Sequence, residues 1–311
     1  MISAHTPRSA KGVIHSMRLM LLGCLCLALS GQANSATSTT CEAVPIGFTS
    51  EGQLMLPIRV NQRSLEVELD GGAVSLILSP SALQRVRAQP TSRSITVGGL
   101  EGSRQARQIH LIREMRIGTA IFRDVDAIAD FAWGVGSNGP KAHSDGDGTL
   151  GLISLVGRSI LIDVPGRRLG VGNVDDCLHM LPDNHVVFPL QLDEDGLSVQ
   201  LRFDGTAVRL NFDIGSTASF VKPSSLPANA SLEPCSYAMP EGAPCRAYTP
   251  GNVSGVDEAT GHQPLTSPTL LLLPIDQIEA DGLLGIDYLQ DKVVLLDLAN
   301  KRLFLARRAY K

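Results

Sequence analysis

The chain has 311 residues, of which 43% are apolar and only 4% aromatic, so it can build one large aliphatic core or two smaller lobes. Its formal net charge is only −4. No long basic run occurs either, and both observations argue against a nucleic-acid partner.

The N-terminus has the pattern of an export signal. Met17 and Arg18 precede the short apolar run Leu19–Leu29, and small residues follow up to Ala36. This pattern predicts a secretory signal peptide over residues 1–36, read from Met17 if that is the true start. The apolar run is too short for a comfortable membrane span. We therefore predict an exported protein, periplasmic or secreted, and disfavour lipidation at Cys24 because it comes too early in the run.

The first readable elements are a hairpin and a helix start. Gln53–Val60 and Leu65–Leu69 alternate in polarity around a polar turn, which predicts a β-hairpin that delivers Asp70 at its end. Ser79 and Pro80 then suit the N-cap and first turn of a short helix.

A second hairpin is predicted from Ser94–Gly102, which enters a Gly-rich tip, and Gln108–Ile112, which returns from it. Residues 134–148 are rich in Gly, Ser, Asn and Asp and predict a mobile loop. His143 lies in that loop and is interpreted as solvated. Residues 160–171 predict a further hairpin around Pro165-Gly166.

A polar stretch, Asp176–Asn184, predicts the boundary between two lobes, over residues 37–178 and 179–311. The second lobe repeats the plan of the first, with an alternating run up to Phe212 that delivers Asp213. The stretch Leu226–Pro268 is rich in Pro, Ala, Ser and Gly and predicts an elaborated loop.

Two blocks of sequence occur twice in the same order. When Asp70 is aligned with Asp213, Gly72 falls on Gly215. A second pair of blocks follows when Asp147 is aligned with Asp281, and its matches are Gly148/Gly282, Leu150/Leu284, Gly151/Gly285, Leu155/Leu289, Asp163/Asp297, Arg168/Arg302 and Leu169/Leu303. The chain is therefore predicted to be an internal duplication.

An Asp-x-Gly turn after an alternating strand, followed by an apolar-Leu-Gly block, resembles the aspartic peptidases. The block reads Leu283-Leu284-Gly285 in the second copy and Thr149-Leu150-Gly151 in the first. Retropepsin-like members have one lobe and pepsin-like members have two on one chain. The resemblance begins near Gly47. It implies an all-β fold with two pseudo-symmetric acid-protease-like β-barrel lobes and a cleft between them.

The resemblance also implies a site. Asp70 and Asp213 would form a catalytic dyad that activates a water against a peptide bond, without metal or cofactor. The substrate would be a peptide or an unfolded protein, and the enzyme a monomer. The glycines of the hairpin tip would belong to a flap, and the predicted substrate-binding residues are Gly72, Gly215, Ser216, Gly98 and Gly99.

One departure keeps a second hypothesis open. The resembled families have Thr or Ser after each catalytic Asp, whose hydroxyl ties the two turns together. This chain has Gly71 and Ile214 there. The alternative is a catalytically impaired protein that binds a peptide or a partner in the cleft. A more distant alternative is an all-β ligand-binding protein, which would leave Asp70 and Asp213 far apart. The sequence has no nucleophile-elbow motif, which argues against a serine or cysteine hydrolase.

Four cysteines remain after the predicted signal peptide, an even number that suggests two disulfides and allows three pairings. Cys235 and Cys245 lie close together in a Pro- and Gly-rich stretch, which suits a looped bridge. Cys41 and Cys177 would then join the start and the end of the first lobe.

Overall fold

The computed structural model describes residues 40–73, 75–98, 104–130, 133–136, 139–141, 146–193, 196–237, 244–257, 261–274 and 278–308. The predicted signal peptide, Cys24, Gly99 and His143 lie outside these residues. No helix in the described ranges is long and apolar enough to cross a membrane.

The N-terminal lobe is built almost entirely of strands. They are β1 (Glu42–Pro45), β2 (Gly47–Phe48), β3 (Leu54–Val60), β4 (Arg63–Asp70), β5 (Leu76–Leu78), β6 (Gln89–Gly98), β7 (Arg104–Ile117), β8 (Ala120–Ala129), β9 (Trp133–Gly136), β10 (Gly139–Lys141), β11 (Gly148–Gly151), β12 (Ser159–Asp163) and β13 (Arg168–Gly172). Two short helices are α1 (Pro80–Arg85) and α2 (Val174–Leu178), and Leu152–Leu155 forms a 3-10 turn.

The C-terminal lobe has the same character. Its strands are β14 (Val186–Asp193), β15 (Gly196–Phe203), β16 (Thr206–Phe212), β17 (Ser219–Val221), β18 (Leu232–Pro234), β19 (Arg246–Tyr248), β20 (Val253–Asp257), β21 (Gly261–Leu265), β22 (Leu270–Leu272), β23 (Gly282–Leu284), β24 (Lys292–Asp297) and β25 (Arg302–Arg307). Its helix is α3 (Ile286–Leu289), and Pro223–Ser225 forms a 3-10 turn.

Local sequence explains the first hairpin and the first helix. Strands β3 and β4 pair antiparallel around Asn61 and Gln62, which both have positive φ, as a tight hairpin turn requires. Ser79 caps α1 by accepting a hydrogen bond from the Ala82 N–H at 3.2 Å, and Pro80 occupies the first turn. Both predictions from the sequence are confirmed.

The two lobes share a duplicated core motif. In the first lobe, β11 runs parallel to β4 and antiparallel to β5. In the second lobe, β23 runs parallel to β16 and antiparallel to β17 in the same way. Equivalent aspartates close each motif, because Asp147 accepts the Glu66 N–H at 3.0 Å and Asp281 accepts the Arg209 N–H at 2.8 Å. The internal duplication predicted from the sequence is therefore a repeat of structure.

A sheet made by both lobes joins them. Strand β12 of the first lobe pairs antiparallel with β24 of the second, from Ser159 opposite Asp297 to Asp163 opposite Val293. Each of these strands also pairs with its own hairpin partner, β13 or β25. The largest hydrophobic cluster likewise takes residues from both lobes, so the two halves fold onto a common core.

Two stretches differ from their predicted character. The predicted mobile loop at 134–148 contains the antiparallel pair β9 and β10. The elaborated stretch at 226–268 contains four short strands, β18 to β21. These strands lack the alternation of apolar and polar residues from which a strand is predicted. They form because neighbouring strands pair with them.

The structure contains both disulfides in the pairing favoured by the sequence. Cys41 is bonded to Cys177 across 136 residues, and Cys235 to Cys245 across 10 residues. The first bond ties the residue before β1 to α2, which are the first and last elements of the N-terminal lobe in the sequence.

Candidate active site

Asp70 is the last residue of β4, which lies between β3 and β11 at the middle of its sheet. Its carboxylate Oδ1 accepts the Gly72 N–H at 2.7 Å. Only 5% of the residue is exposed. The strand therefore delivers a carboxylate to its end, and the following turn holds that carboxylate with its own backbone.

Asp213 occupies the equivalent place after β16. Its N–H donates to the Leu284 carbonyl at 3.0 Å, which extends the parallel ladder with β23 by one bond. Its Oδ1 accepts the Gly215 N–H at 3.1 Å, as Asp70 accepts that of Gly72. The two turns therefore have the same internal hydrogen bond.

The two turns meet, and their carboxyl groups lie side by side over Gly72. A methyl group added to Gly72 would lie 3.5 Å from both Asp213 Oδ2 and Asp70 Oδ1. One added to Gly215 would lie 2.7 Å from the Asp70 carboxyl carbon. Glycine is thus required at position 215, because the Asp70 side chain crosses directly over its Cα. The more distant hypothesis, with widely separated acids, is wrong.

The pair binds a proton more tightly than two ordinary aspartates. Burial raises the pKa of Asp70 well above its usual value, and the charge and hydrogen bond of Asp213 raise it further. Burial also raises the pKa of Asp213, against hydrogen bonds from Asp70 and from the backbone of Gly215 and Ser216. Both pKa values are raised, so the two carboxyls hold one proton that belongs to the pair rather than to either residue.

The position after each acid explains how the turns stay together without paired hydroxyls. A methyl group on Gly71 would lie 1.9 Å from the Phe212 carbonyl oxygen and 3.0 Å from Asp213 Cα. The backbone of the first turn thus packs directly on the second. Ile214 is fully buried in the main hydrophobic cluster. The resemblance predicts a hydroxyl after each acid. This protein has the Gly71 backbone contact at one of these positions and the buried Ile214 side chain at the other.

Sequence reasoning missed a polar support behind the second turn. Ser219 Oγ donates to Asp287 Oδ1 at 2.7 Å and accepts the Gly285 N–H at 3.0 Å. Asp287 Oδ2 also accepts the Ser219 N–H at 3.1 Å. The signal in the sequence is two polar residues, each inside a short apolar run. Together they tie β17, which follows the Asp213 turn, to the start of α3.

The remaining predicted binding residues lie near the two acids to different degrees. Gly72 is exposed and Gly215 half-buried, directly beside the carboxylates. Ser216 is half-buried, and its Oγ donates to the Ala218 carbonyl at 2.7 Å, within its own turn. Gly98 ends β6 of the predicted flap hairpin. Contact of these residues with a substrate stays a prediction.

The hairpin of β6 and β7, which the resemblance predicts to be a flap, packs beside the Asp70 turn. Val97 of β6 and Ile109 of β7 form a buried cluster with Ile77 and Ile128. Ala73, three residues after Asp70, packs against this cluster. The base of the hairpin and the first acid turn are therefore neighbours in the N-terminal lobe.

No family model and no curated protein matches the sequence. Solved structures do match the fold. The aspartic proteinase from Irpex lacteus superposes with a TM-score of 0.53 at 14% identity, covering 87% of this chain and 98% of that one. Basic 7S globulin from soybean gives 0.52 at 12% identity, covering 86% and 95%.

At identities this low, the structural similarity establishes the fold only. The chemistry has to be argued from the residues of the site. One neighbour is named as a proteinase and the other as a globulin. The chain has the pepsin-like, two-lobed acid-protease fold, with one aspartate turn from each lobe meeting at their junction.

Proposed function

We propose that this protein is an exported aspartic-type endopeptidase, in which Asp70 and Asp213 together activate a water molecule against a peptide bond. The observation that carries the proposal is the meeting of two carboxyl groups from equivalent turns, one buried and one half-buried, with an oxygen of each 3.5 Å from the position of a methyl group on Gly72. A structural role for either acid as a turn cap needs only its own backbone bond and gives no reason for the two to meet.

The reaction would use the shared proton. The ionised aspartate of the pair takes a proton from the water as the water oxygen attacks the carbonyl carbon. The protonated aspartate donates its proton to the carbonyl oxygen, which gives a neutral tetrahedral diol. Collapse of the diol breaks the C–N bond as the proton taken from the water passes to the leaving amine. The other aspartate recovers its proton from the diol, which restores the starting state.

Export is the second part of the proposal. It is supported by the signal-like N-terminus and by two disulfides, since such bonds persist in oxidising compartments. A monomer that acts on unfolded or extended protein fits the presence of both acid turns on one chain.

The alternative is a non-catalytic protein that binds a peptide or a partner between the lobes. It is favoured by the absence of a hydroxyl after either acid and by the likeness to a protein named as a globulin. Both hypotheses use the same cleft, so only a measurement of turnover separates them.

The decisive experiment follows cleavage of an unfolded protein from acid to neutral pH by the wild type, Asp70→Asn and Asp213→Asn. We expect each substitution to lower kcat by at least about a thousandfold, because it removes one half of a concerted unit. Asp124→Asn is the matched control, since Asp124 is exposed and its φ of 53° also suits Asn. A wild type as inert as both variants at every pH would leave the binding protein as the answer.

A further inference from the structure

Polar side chains occupy the sheet face that carries Asp70. Side chains alternate along a strand, so Glu68 and Asp70 point to the same face of β4, about 7 Å apart. Thr149 of β11 lies directly opposite Glu68 in the parallel register, and Met55 of β3 lies opposite on the other side. Glu68 is only 2% exposed and Thr149 is fully buried.

The second lobe repeats this arrangement with different chemistry. Asn211 is the residue two before Asp213 and corresponds to Glu68 in the duplication. Ser198 of β15 lies opposite Asn211 across the antiparallel pair, and Leu283 lies opposite in β23. Ser198 is fully buried and Asn211 is 7% exposed. We call Glu68, Thr149, Ser198 and Asn211 the polar strip.

Two hydroxyls of the polar strip lower the stability of the folded protein because they are buried without a hydrogen-bond partner in the part of the chain that the structure describes. Within the described residues, Thr149 Oγ1 and Ser198 Oγ are buried and make no hydrogen bond. A buried hydroxyl without a partner destabilises a protein, and an aliphatic residue at the same place would not. Each hydroxyl lies one strand from an acid-bearing strand and on the face of its acid. A polar group of a bound chain can satisfy both.

From this geometry we infer that the polar strip selects the substrate: Glu68 with Thr149 takes a lysine or arginine side chain on the N-terminal-lobe side of the cleaved bond, and Asn211 with Ser198 takes a neutral polar side chain on the other side. This inference rests on the proposed function, because it names the substrate class of the same site. The chain would thus cleave beside basic residues rather than between two large apolar ones.

The physical basis is the enclosed position of the carboxylate. Asp70 and Glu68 are 5% and 2% exposed and lie two residues apart on the same face of β4, so the side chain of a peptide bound at Asp70 is the group placed to reach the Glu68 carboxylate. Opposite charges attract more strongly there than in water. An ammonium or guanidinium hydrogen-bonded to a carboxylate is among the stronger polar contacts in proteins. An uncharged side chain of equal length would leave Glu68 without this contact.

The test uses peptides that differ at one position next to the cleaved bond, with lysine in one and norleucine in the other. Norleucine keeps the unbranched stem and removes the charge. For the wild type we expect kcat/KM to favour lysine by about tenfold to a hundredfold on the N-terminal-lobe side. Glu68→Gln should lower kcat/KM for the lysine peptide until the two peptides are cleaved with equal efficiency. Glu66→Gln is the matched control, because Glu66 is exposed on the same strand and face.

A second variant protects the test against misfolding of the first. Asn211→Asp should create a preference for lysine on the opposite side of the bond, which a merely structural role for the polar strip does not predict. An unchanged lysine preference in folded Glu68→Gln overturns the inference. So does the absence of any preference in a wild type that cleaves both peptides.

Failure of the proposed function is recognised separately. If the wild type cleaves nothing, the same peptides are titrated against it by fluorescence anisotropy. Tighter binding of the lysine peptide, lost in Glu68→Gln and kept in Glu66→Gln, would support the inference without catalysis. Equal affinities, or no binding of either peptide, would overturn it.

Discussion

The turn that carries Asp70 and the turn that carries Asp213 differ in what supports them, although their backbones follow the same path. The second turn is tied to its own lobe by the hydrogen bonds between Ser219 and Asp287. The duplication places Leu76 and Ile153 at the equivalent positions of the first lobe, and neither can form such a bond. The first turn instead packs its Gly71 backbone against Phe212 of the other lobe.

This difference shows that the two turns are supported by different contacts. In the C-terminal lobe the Ser219–Asp287 pair ties β17 to α3. In the N-terminal lobe Ser75 Oγ donates to the Asp126 carbonyl at 3.1 Å, and the Gly71 backbone packs on the Asp213 turn. A duplicated fold therefore does not need duplicated supports. It also explains how two carboxylates stay in contact when neither turn has the hydroxyl expected from the resemblance.

The largest effect is expected from a single methyl group at the contact between the Gly71 backbone and Phe212. In Gly71→Ala the new carbon would lie 1.9 Å from the Phe212 oxygen, so the turns must separate. An error of about 1 Å in a catalytic pair costs on the order of a hundredfold in rate. We expect kcat to fall by about that factor, measured with the unfolded-protein substrate.

Gly47→Ala is the control for this substitution. A methyl group on Gly47 would lie 3.7 Å from Met55 Cβ, an ordinary contact, and we expect activity to be retained. Full activity in Gly71→Ala would show that the backbone contact does not position the acids.

Removal of the support behind the second turn should have an intermediate effect. Ser219→Ala deletes the hydroxyl that bonds Asp287 and Gly285, and leaves the half-buried Asp287 carboxylate with one partner fewer. We expect about 1–3 kcal/mol less stability in urea unfolding, with a fall in kcat at unchanged KM.

Ser225→Ala is its matched control, because Ser225 Oγ makes a 2.7 Å bond to Asp281 in the same lobe, away from the acids. It should lose comparable stability and keep its kcat. If both variants lose kcat equally, the Ser219–Asp287 pair has no particular role in holding Asp213.

The smallest effect concerns stability and pH. Because the pKa of Asp70 is raised in the folded protein, the folded form keeps a proton that the unfolded chain has released above its ordinary pKa of about 3.9. Wild-type stability therefore declines as pH rises from that value towards the raised pKa. Asp70→Asn removes this decline. We expect the variant to be the more stable protein at neutral pH, with the gain shrinking on acidification.

Thermal unfolding at a series of pH values measures this gain, and Asp124→Asn again serves as the control. A constant difference between wild type and Asp70→Asn at all pH values would mean that Asp70 does not carry a raised pKa.

Much of the fold can be predicted from local patterns of the sequence. Alternating runs predicted β3, β4 and β16, and the repeated blocks around Asp70 and Asp213 predicted two equivalent turns. The duplication also led from the residues to the meeting of the two acids, because a pseudo-two-fold relation brings equivalent positions together. The cysteine spacing favoured the observed pairing for a similar reason, since it left one short loop and one long one.

The supports of the site could not be predicted in this way because they depend on contacts between distant segments. From the sequence, Gly71 is a departure from the expected Thr or Ser after the first acid. Only the structure shows that the Phe212 carbonyl packs against it and leaves no room for a side chain. Ser219 and Asp287 are 68 residues apart and become a pair only when α3 lies beside β17. In the sequence Thr149 is a polar residue in an otherwise apolar block, and only the parallel pairing of β4 and β11 places it opposite Glu68.

The pairing of β12 with β24 has a consequence for biogenesis. Strand β12 contains Ile160, Leu161 and Ile162, all fully buried, and its second edge stays open until β24, residues 292–297 of the 311, has emerged. A nascent or truncated first half therefore presents a bare apolar strand edge, which promotes self-association. We expect a fragment that ends at residue 178 to aggregate on size-exclusion chromatography, and a chaperone or rapid completion of the chain to be what protects the natural polypeptide.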